Sequence, residues 1–223
     1  MKYVEPEWNN LTDDKQKLKT FTSKEWEDFY NKWMIRERPH LDDSIIYPIS
    51  DLQPYNNILI SMIKRRQEGF SVLDIGCANG STLFSIYNNN NIITGVGIDV
   101  SSIMIEYANE YKNSKGINTL NFIQCMFEDY EFTQKFDLII CDDVLEHFIS
   151  VTKALEKISY LLNYNGLVCG HTPKLNHCDA TSHLHYFTKE SLEELLKLYF
   201  FSYDVQEYEV SSGTMLGFYG EKI

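Results

Sequence analysis

The sequence is short of basic residues, and this shortage argues against one large class of partners. Lys and Arg together number 20 against 32 Asp and Glu, which gives a net charge of −12 at neutral pH. Proteins that follow a phosphate backbone usually present a strongly basic face. We therefore expect no nucleic-acid partner.

Long hydrophobic runs and paired cysteines are also missing. No stretch approaches the roughly 20 apolar residues that span a bilayer, and the opening MKYVEPEWNN lacks the apolar segment of a secretory signal. The five cysteines are odd in number and show no CxxC spacing. A disulfide framework or a zinc ribbon is therefore not expected. These absences predict a cytoplasmic protein with reduced thiols and no membrane partner.

From Phe70 onward, short β-rich runs alternate with helical patterns. The runs are FSVLDI, IITGVGID, INTLNFIQ, FDLIICD and LVCGHT. Such alternation predicts an α/β fold with a mostly parallel sheet and helices on both faces. Two last runs, joined by Ser211–Gly213, predict an antiparallel C-terminal hairpin at one edge. A helix between the fourth and fifth runs is expected to stop at Asn165-Gly166.

Residues 1–50 are predicted to form an N-terminal helical segment ahead of a main domain at 51–223. Thr22 and Glu25 have the spacing of a capping box, and Trp26 and later aromatic residues recur at helical spacing. This aromatic stripe either packs against the sheet domain or closes over a ligand as a lid. Both interpretations stay open.

The glycine-rich turn in VLDIGCANG follows the first strand of this unit, where open α/β sheets bind their ligands. Glycine lets a ligand approach the main chain closely. Nicotinamide or flavin dinucleotides and S-adenosylmethionine both use such a turn. Dinucleotide sites prefer G-x-G-x-x-G, whereas Ala78 takes the middle position here and Asp74 adds a negative charge. The local chemistry favours a cationic ligand over a pyrophosphate.

Asp99 ends the next strand, in GVGIDVS. Its carboxylate is suited to accept hydrogen bonds from both hydroxyls of a ribose, each worth about 1.5–3 kcal/mol when desolvated. The alternative is that Asp99 caps the helix after Ser101.

Five segments then occur in a characteristic order. They are VLDIGCANG, GVGIDVS, FDLIICDDVLEH, LLNYNGLVCGHTP and HLHYFTKESLEELL. Together they resemble the class I S-adenosylmethionine-dependent methyltransferases, which have a Rossmann-like sheet. The resemblance is greatest to the branch that contains ubiquinone-pathway O-methyltransferases and many sugar and natural-product methyltransferases. It implies S-adenosyl-L-methionine as the cofactor and S-adenosyl-L-homocysteine as its product.

The resemblance also implies which residues hold the cofactor. These are Asp74, Gly76, Cys77 and Gly80 around the methionyl part, Asp99 at the ribose, Val100, Met126 and Phe127 at the adenine, and Cys141 at the methionine amine. Relatives commonly present an acidic residue where Met126 stands. Glu128 or Asp129 is expected to substitute for it.

Methyl transfer to a hydroxyl needs alignment and the removal of one proton, and requires neither a metal nor a nucleophilic side chain. The base candidates are Asp142, Asp143 and His147 after the fourth strand and His171 at the end of the fifth. His147 is the first choice, because its imidazole ordinarily titrates near neutral pH. A structural hydrogen bond by His147 is the alternative.

Aromatic and histidine side chains are expected in the acceptor pocket. The histidines from His171 to His185 show no compact zinc spacing, so no metal is expected. The candidate pocket residues are Tyr30, Trp33, Tyr47, His171 and His183.

The acceptor is predicted to be a small molecule. Many nucleic-acid methyltransferases place D/N-P-P-Y/F after the fourth strand, where a flipped base stacks, and CDDVLEH contains no proline. We therefore predict an enzyme that methylates an oxygen or nitrogen of a small molecule, as a monomer or homodimer. A non-catalytic cofactor-binding subunit is the alternative, whereas Ala78 disfavours a nicotinamide oxidoreductase.

Overall fold

A computed structural model describes residues 13–37, 70–89, 94–175, 182–211 and 213–223. The helices are α1 (Asp13–Leu18), α2 (Ser23–Glu37), α3 (Ser81–Asn89), α4 (Ser102–Ser114), α5 (Val151–Leu161) and α6 (Lys189–Leu196). The strands are β1 (Ser71–Ile75), β2 (Thr94–Asp99), β3 (Leu120–Gln124), β4 (Phe136–Asp142), β5 (Leu162–Pro173), β6 (Ser202–Val210) and β7 (Gly213–Glu221). A 3₁₀ helix, Leu145–His147, follows β4.

Seven strands form one sheet in the order β3-β2-β1-β4-β5-β7-β6. Strands β1 to β5 run parallel, whereas β7 pairs antiparallel with both β5 and β6. The predicted α/β fold with an antiparallel C-terminal hairpin is confirmed. The strand order reverses between β1 and β4, so the carboxyl ends of these strands flank the crevice where such sheets bind ligands.

The strands alternate their apolar side chains between two faces of the sheet. Leu73 and Ile75 of β1 pack with α5 and α6 on one face, and Val72 packs with α3 and α4 on the other. Each fully buried side chain of this size contributes about 1.5–3 kcal/mol relative to its exposed state. The two cores hold the strand ends that carry the site.

Helix α5 is shorter than the sequence predicts, and its expected stop at Asn165-Gly166 is wrong. The helix ends at Leu161, and Leu162 adopts extended φ and ψ angles. Leu162 is already paired with Phe136 of β4 at the start of β5. Strand pairing of a buried leucine outweighs the helical periodicity there.

Helix α2 begins with the predicted capping box. The main-chain N–H of Thr22 donates to Glu25 Oε2 at 2.8 Å, and the N–H of Glu25 donates to Thr22 Oγ1 at 3.3 Å. The helix packs against α4, where Ser101 Oγ donates to Asn31 Oδ1 at 2.6 Å. The aromatic stripe therefore lies beside the carboxyl end of β2. The division of the chain at residue 50 stays a prediction.

Helix α6 begins with a reciprocal cap that can be tested. The N–H of Ser191 donates to Thr188 Oγ1 at 3.2 Å, and the N–H of Thr188 donates to Ser191 Oγ at 2.9 Å. We expect Thr188→Ala to lower the free energy of unfolding by about 1 kcal/mol, measured by urea denaturation. Thr188→Ser keeps the hydroxyl and serves as the control. An equal loss in both variants would contradict this account of the cap.

Candidate active site

The turn after β1 is shaped by left-handed glycines and by hydrogen bonds to β2. The φ angle is +71° at Gly76 and +82° at Gly80. The N–H groups of Gly76 and Cys77 both donate to the Ile98 carbonyl oxygen at 2.9 Å. A Cβ on Gly80 would lie 2.6 Å from the Phe122 ring. Glycine is therefore required at position 80 for conformation and for space.

Asp99 connects this turn to the start of α4. Its Oδ2 accepts from the N–H of Ala78 at 2.9 Å, and its Oδ1 accepts from the N–H of Ser101 at 2.8 Å. The side chain that caps α4 is Ser101, which accepts from the N–H of Met104. The helix-cap interpretation of Asp99 is thus wrong. These two main-chain bonds fix the orientation of the Asp99 carboxylate beside the turn.

A cavity of about 610 Å³ opens over the turn and the carboxyl ends of β1, β2 and β4. One part of its lining comes from the turn and from the ends of β2 and β3, and includes Gly76, Ala78, Asp99, Val100, Met126, Phe127 and Glu128. A second part is polar and contains Asp142, Asp143, Glu146, His147, His171 and His183. A third part is mostly apolar and contains Trp26, Phe29, Tyr30, Tyr208, Val210 and Met215.

Four predicted cofactor residues do not line the cavity. Asp74, Cys77, Gly80 and Cys141 are buried, in the turn or at the ends of β1 and β4. Trp33 belongs to α2, but its side chain, like Tyr47 as a whole, lies outside the described residues.

Sequence reasoning missed two parts of the lining. Tyr208 and Val210 of β6 and Met215 of β7 form a wall on the hairpin. Directly paired residues of a hairpin share one face of the sheet, and Tyr208 pairs with Met215. The predicted hairpin was therefore the signal that could have placed both residues on one wall. The other omission is Glu146, whose side chain is 2% exposed. Nothing local in CDDVLEH marks it as buried.

His171 is held between two carboxylates. Its Nδ1 lies 3.3 Å from Asp142 Oδ1, and its Nε2 lies 3.3 Å from Asp143 Oδ2. Burial alone would lower the pKa of His171, but the two carboxylates outweigh it and hold the pKa well above its ordinary value. At neutral pH the ring is therefore an imidazolium, which has no lone pair with which to act as a base.

His147 is held in the opposite state. Its Nδ1 lies 3.0 Å from the Ser182 carbonyl oxygen. Because that oxygen only accepts, the neutral ring donates from Nδ1 and keeps its lone pair on Nε2. Burial lowers the pKa of His147 to about 4, despite the hydrogen bond to Ser182. The neutral ring therefore predominates at physiological pH.

An aromatic wall on α2 faces this histidine. Trp26 stacks on Tyr30, with ring centroids 5.7 Å apart and planes inclined by 23°. The Tyr30 and His147 rings meet edge to face, at 5.9 Å and 90°. The contact between α2 and His147 places the aromatic stripe over the cavity as well as against the sheet domain.

The crevice fits a sulfonium nucleoside better than a pyrophosphate. Among the described residues, no Lys or Arg lines it, whereas the Asp99 carboxylate does. Val100, Met126 and Phe127 add apolar surface that suits a purine. Asn79 Oδ1, in the turn, is buried and has no hydrogen-bond partner among the described residues, but Asn79 does not line the cavity.

Comparison with known proteins identifies the family. The family described as "Methyltransferase domain" matches residues 66–207. The chain belongs to this family, a class of enzymes that use S-adenosylmethionine as methyl donor. The predicted resemblance is confirmed.

Two curated relatives match over part of their length. An uncharacterised methyltransferase of Bacillus subtilis is 33% identical over 98 residues, which cover 43% of this chain and 37% of the relative. A ubiquinone biosynthesis O-methyltransferase of Pasteurella multocida is 28% identical over 132 residues, which cover 54% and 53%. The matches therefore span about half of these relatives or less.

Solved structures share the fold. Magnesium protoporphyrin IX methyltransferase from Synechocystis, solved with S-adenosylhomocysteine, has a TM-score of 0.69 at 15% identity and covers 91% of this chain and 100% of its own. The plantazolicin methyltransferase BpumL has a TM-score of 0.64 at 14% identity, covering 95% and 98%. Among the described residues of this chain, no helix has the length and apolar character needed to cross a bilayer.

The ion pairs of His171 generate a pH-dependent prediction. The folded protein holds the His171 proton more tightly than the unfolded chain, whose pKa is about 6.5. The contribution of this proton to the free energy of unfolding is complete below the unfolded pKa. It is lost as the pH rises through the higher pKa of the folded state. We expect His171→Gln to lower the free energy of unfolding by about 1 kcal/mol in mild acid, and the difference from wild type to narrow above neutral pH. Urea denaturation across this range tests it, and a difference that widens with pH would contradict it.

Proposed function

We propose that this chain transfers the methyl group of S-adenosylmethionine to an oxygen or nitrogen of a small-molecule acceptor. The observation that carries the proposal is that Asp99 and His147 line one cavity. Asp99 offers a carboxylate for ribose hydroxyls, and His147 offers an unprotonated ring nitrogen. The name of the Pasteurella multocida relative, an O-methyltransferase, favours oxygen.

Each part of the cofactor is assigned to residues in the half of the cavity next to the glycine turn after β1. The Asp99 carboxylate binds the ribose hydroxyls, while its bonds to Ala78 and Ser101 keep it oriented. Val100, Met126 and Phe127 pack on the adenine. Glu128 lines the cavity and replaces the acidic side chain that Met126 lacks. The methionyl part lies along the main chain of the turn, over Asp74, Cys77, Gly80 and Cys141.

The acceptor half lies between the aromatic wall and the polar side chains. Bound S-adenosylmethionine supplies a methyl group attached to a positively charged sulfur. When the methyl group is transferred, the sulfur remains in the product as a neutral thioether. Tyr30 and Phe29 hold the acceptor, and His147 Nε2 removes the proton from its hydroxyl. Asp142 and Asp143 are engaged by His171, so they orient the acceptor and do not act as the base.

Composition supports a small-molecule acceptor and a cytoplasmic location. The charged lining groups are mostly carboxylates, which repel a phosphate backbone. Cys77, Cys125, Cys141 and Cys169 are free thiols, as expected in the reducing cytoplasm.

Asp99→Asn tests the cofactor assignment. Loss of a charge-assisted hydrogen bond is expected to weaken S-adenosylhomocysteine binding at least about tenfold, measured by calorimetry. Asp204→Asn, on the edge strand β6 and outside the cavity lining, is the control and should bind normally. Unchanged affinity in Asp99→Asn would remove Asp99 from the ribose site.

His147→Ala tests the acceptor assignment. Turnover of labelled methyl groups is expected to fall by at least about tenfold, while the affinity for S-adenosylhomocysteine stays within twofold of wild type, since His147 does not belong to the proposed cofactor half. Full turnover in this variant would show that His147 is structural. Cofactor binding by wild type without any methyl transfer would instead favour the non-catalytic subunit.

A further inference from the structure

A lysine that does not line the cavity holds the turn that follows β3. Lys157 belongs to α5, and its Nζ donates to three main-chain carbonyl oxygens within residues 126–130, which we call the β3 turn. The distances are 2.7 Å to Phe127, 3.2 Å to Glu128 and 2.8 Å to Tyr130. An ammonium group has three N–H donors, so each donor has a carbonyl partner. Charge-assisted bonds of this kind are stronger than bonds between neutral groups.

The ammonium group lies against two aromatic rings beside the turn. It is 4.8 Å from the centroid of the Phe127 ring and 5.7 Å from that of Phe132, within the range of cation–π attraction. The helix that carries Lys157 is anchored by Leu155 and Ile158, which are fully buried in the core. The lysine therefore links the β3 turn to a fixed element of the fold.

The hydrogen bonds within the β3 turn are long. The N–H groups of Asp129 and Tyr130 both donate to the Met126 carbonyl oxygen, at 3.3 and 3.2 Å. These distances lie at or beyond the upper end of the usual range for N–H···O bonds. Carbonyl oxygens that converge on one point also repel one another unless a cation lies between them. The bonds from Lys157 are therefore the main restraint on the shape of this turn.

The side chain that this arrangement orients is Glu128, which lines the cavity. The carbonyl groups of Phe127 and Glu128 belong to the two planar peptide units on either side of the Glu128 Cα. Because Lys157 holds both units, it fixes the direction in which the Glu128 side chain leaves the main chain. The far end of that side chain is also held, since Glu128 Oε1 accepts from the N–H of Ile149 at 3.3 Å.

We propose that Lys157 is a positioning residue for the adenine end of the cofactor, because it holds the Glu128 carboxylate where that group accepts a hydrogen bond from the exocyclic amino group of adenine. The inference rests on the proposed function, which packs the adenine on Val100, Met126 and Phe127. Lys157 itself contacts neither the cofactor nor the reacting atoms. It acts on the choice of base and not on the methyl-transfer step.

The choice of base gives a measurement that separates positioning from simple stability. The probe is the purine riboside analogue of S-adenosylhomocysteine, in which a hydrogen atom replaces the exocyclic amino group. A site built to accept from an amino group discriminates against a ligand that lacks it. Burial raises the pKa of Glu128, so binding is measured at pH 8 to keep the carboxylate ionised.

Calorimetry on the full chain measures both affinities and their ratio. We expect wild type to bind S-adenosylhomocysteine at least about tenfold more tightly than the analogue. Lys157→Met keeps an unbranched side chain without the ammonium group and should lower this ratio at least about threefold. Lys157→Arg keeps a cation with several N–H donors and should retain most of the ratio. Lys153→Met removes the same charge from an exposed position one turn earlier on α5 and should leave the ratio unchanged.

The possible failures have distinct consequences. An unchanged ratio in Lys157→Met, or a wild-type ratio near one, overturns the positioning role and leaves Lys157 as a structural residue only. Lys157→Gln, which also lacks the charge, gives the same measurement should Lys157→Met fail to fold. Glu128→Ala is expected to lower the ratio as well, and an undiminished ratio there removes Glu128 from the adenine site. Failure of wild type to bind S-adenosylhomocysteine at all would instead overturn the proposed function, so the two failures are distinguishable.

Discussion

The site depends on how the end of β2 holds the turn after β1. Two consecutive N–H groups, of Gly76 and Cys77, share the Ile98 carbonyl oxygen, and the next residue of β2, Asp99, receives the N–H of Ala78. These bonds are possible because β1 and β2 are parallel neighbours paired in register up to Ile98. The main chain that forms the floor of the cavity is therefore anchored to the end of β2 by one carbonyl oxygen and one buried carboxylate.

Charge is divided unequally over the polar part of the cavity. His171 pairs with both Asp142 and Asp143 and offsets one of their two negative charges, and it is itself unable to act as a base. His147 remains neutral, because it is buried and its hydrogen bond ends on a carbonyl rather than a carboxylate. Two histidines near the ends of neighbouring strands thus acquire opposite states from their burial and their partners. Residue type and position in the sequence do not distinguish them.

The parts of the site that could be predicted lie within single stretches of chain. The glycine turn, Asp99 and His147 each follow directly from a strand end, where a local pattern specifies both geometry and chemistry. Tyr208 and Met215 were missed because they reach the cavity only through the pairing of β6 with β7. Glu146 was missed because its burial results from contacts with residues distant in sequence, such as Thr172. The early end of α5 has the same cause, since Leu162 is committed to pairing with Phe136.

Helix α2 connects the two halves of the cavity. Glu27 Oε1 accepts from Ser102 Oγ at 2.6 Å, and Asn31 Oδ1 accepts from Ser101 Oγ at 2.6 Å. Ser101 also donates its N–H to the carboxylate of Asp99. The helix that carries Tyr30 is therefore bonded to the segment that orients Asp99. The aromatic wall and the Asp99 carboxylate therefore belong to one connected group of hydrogen bonds, which passes through Ser101.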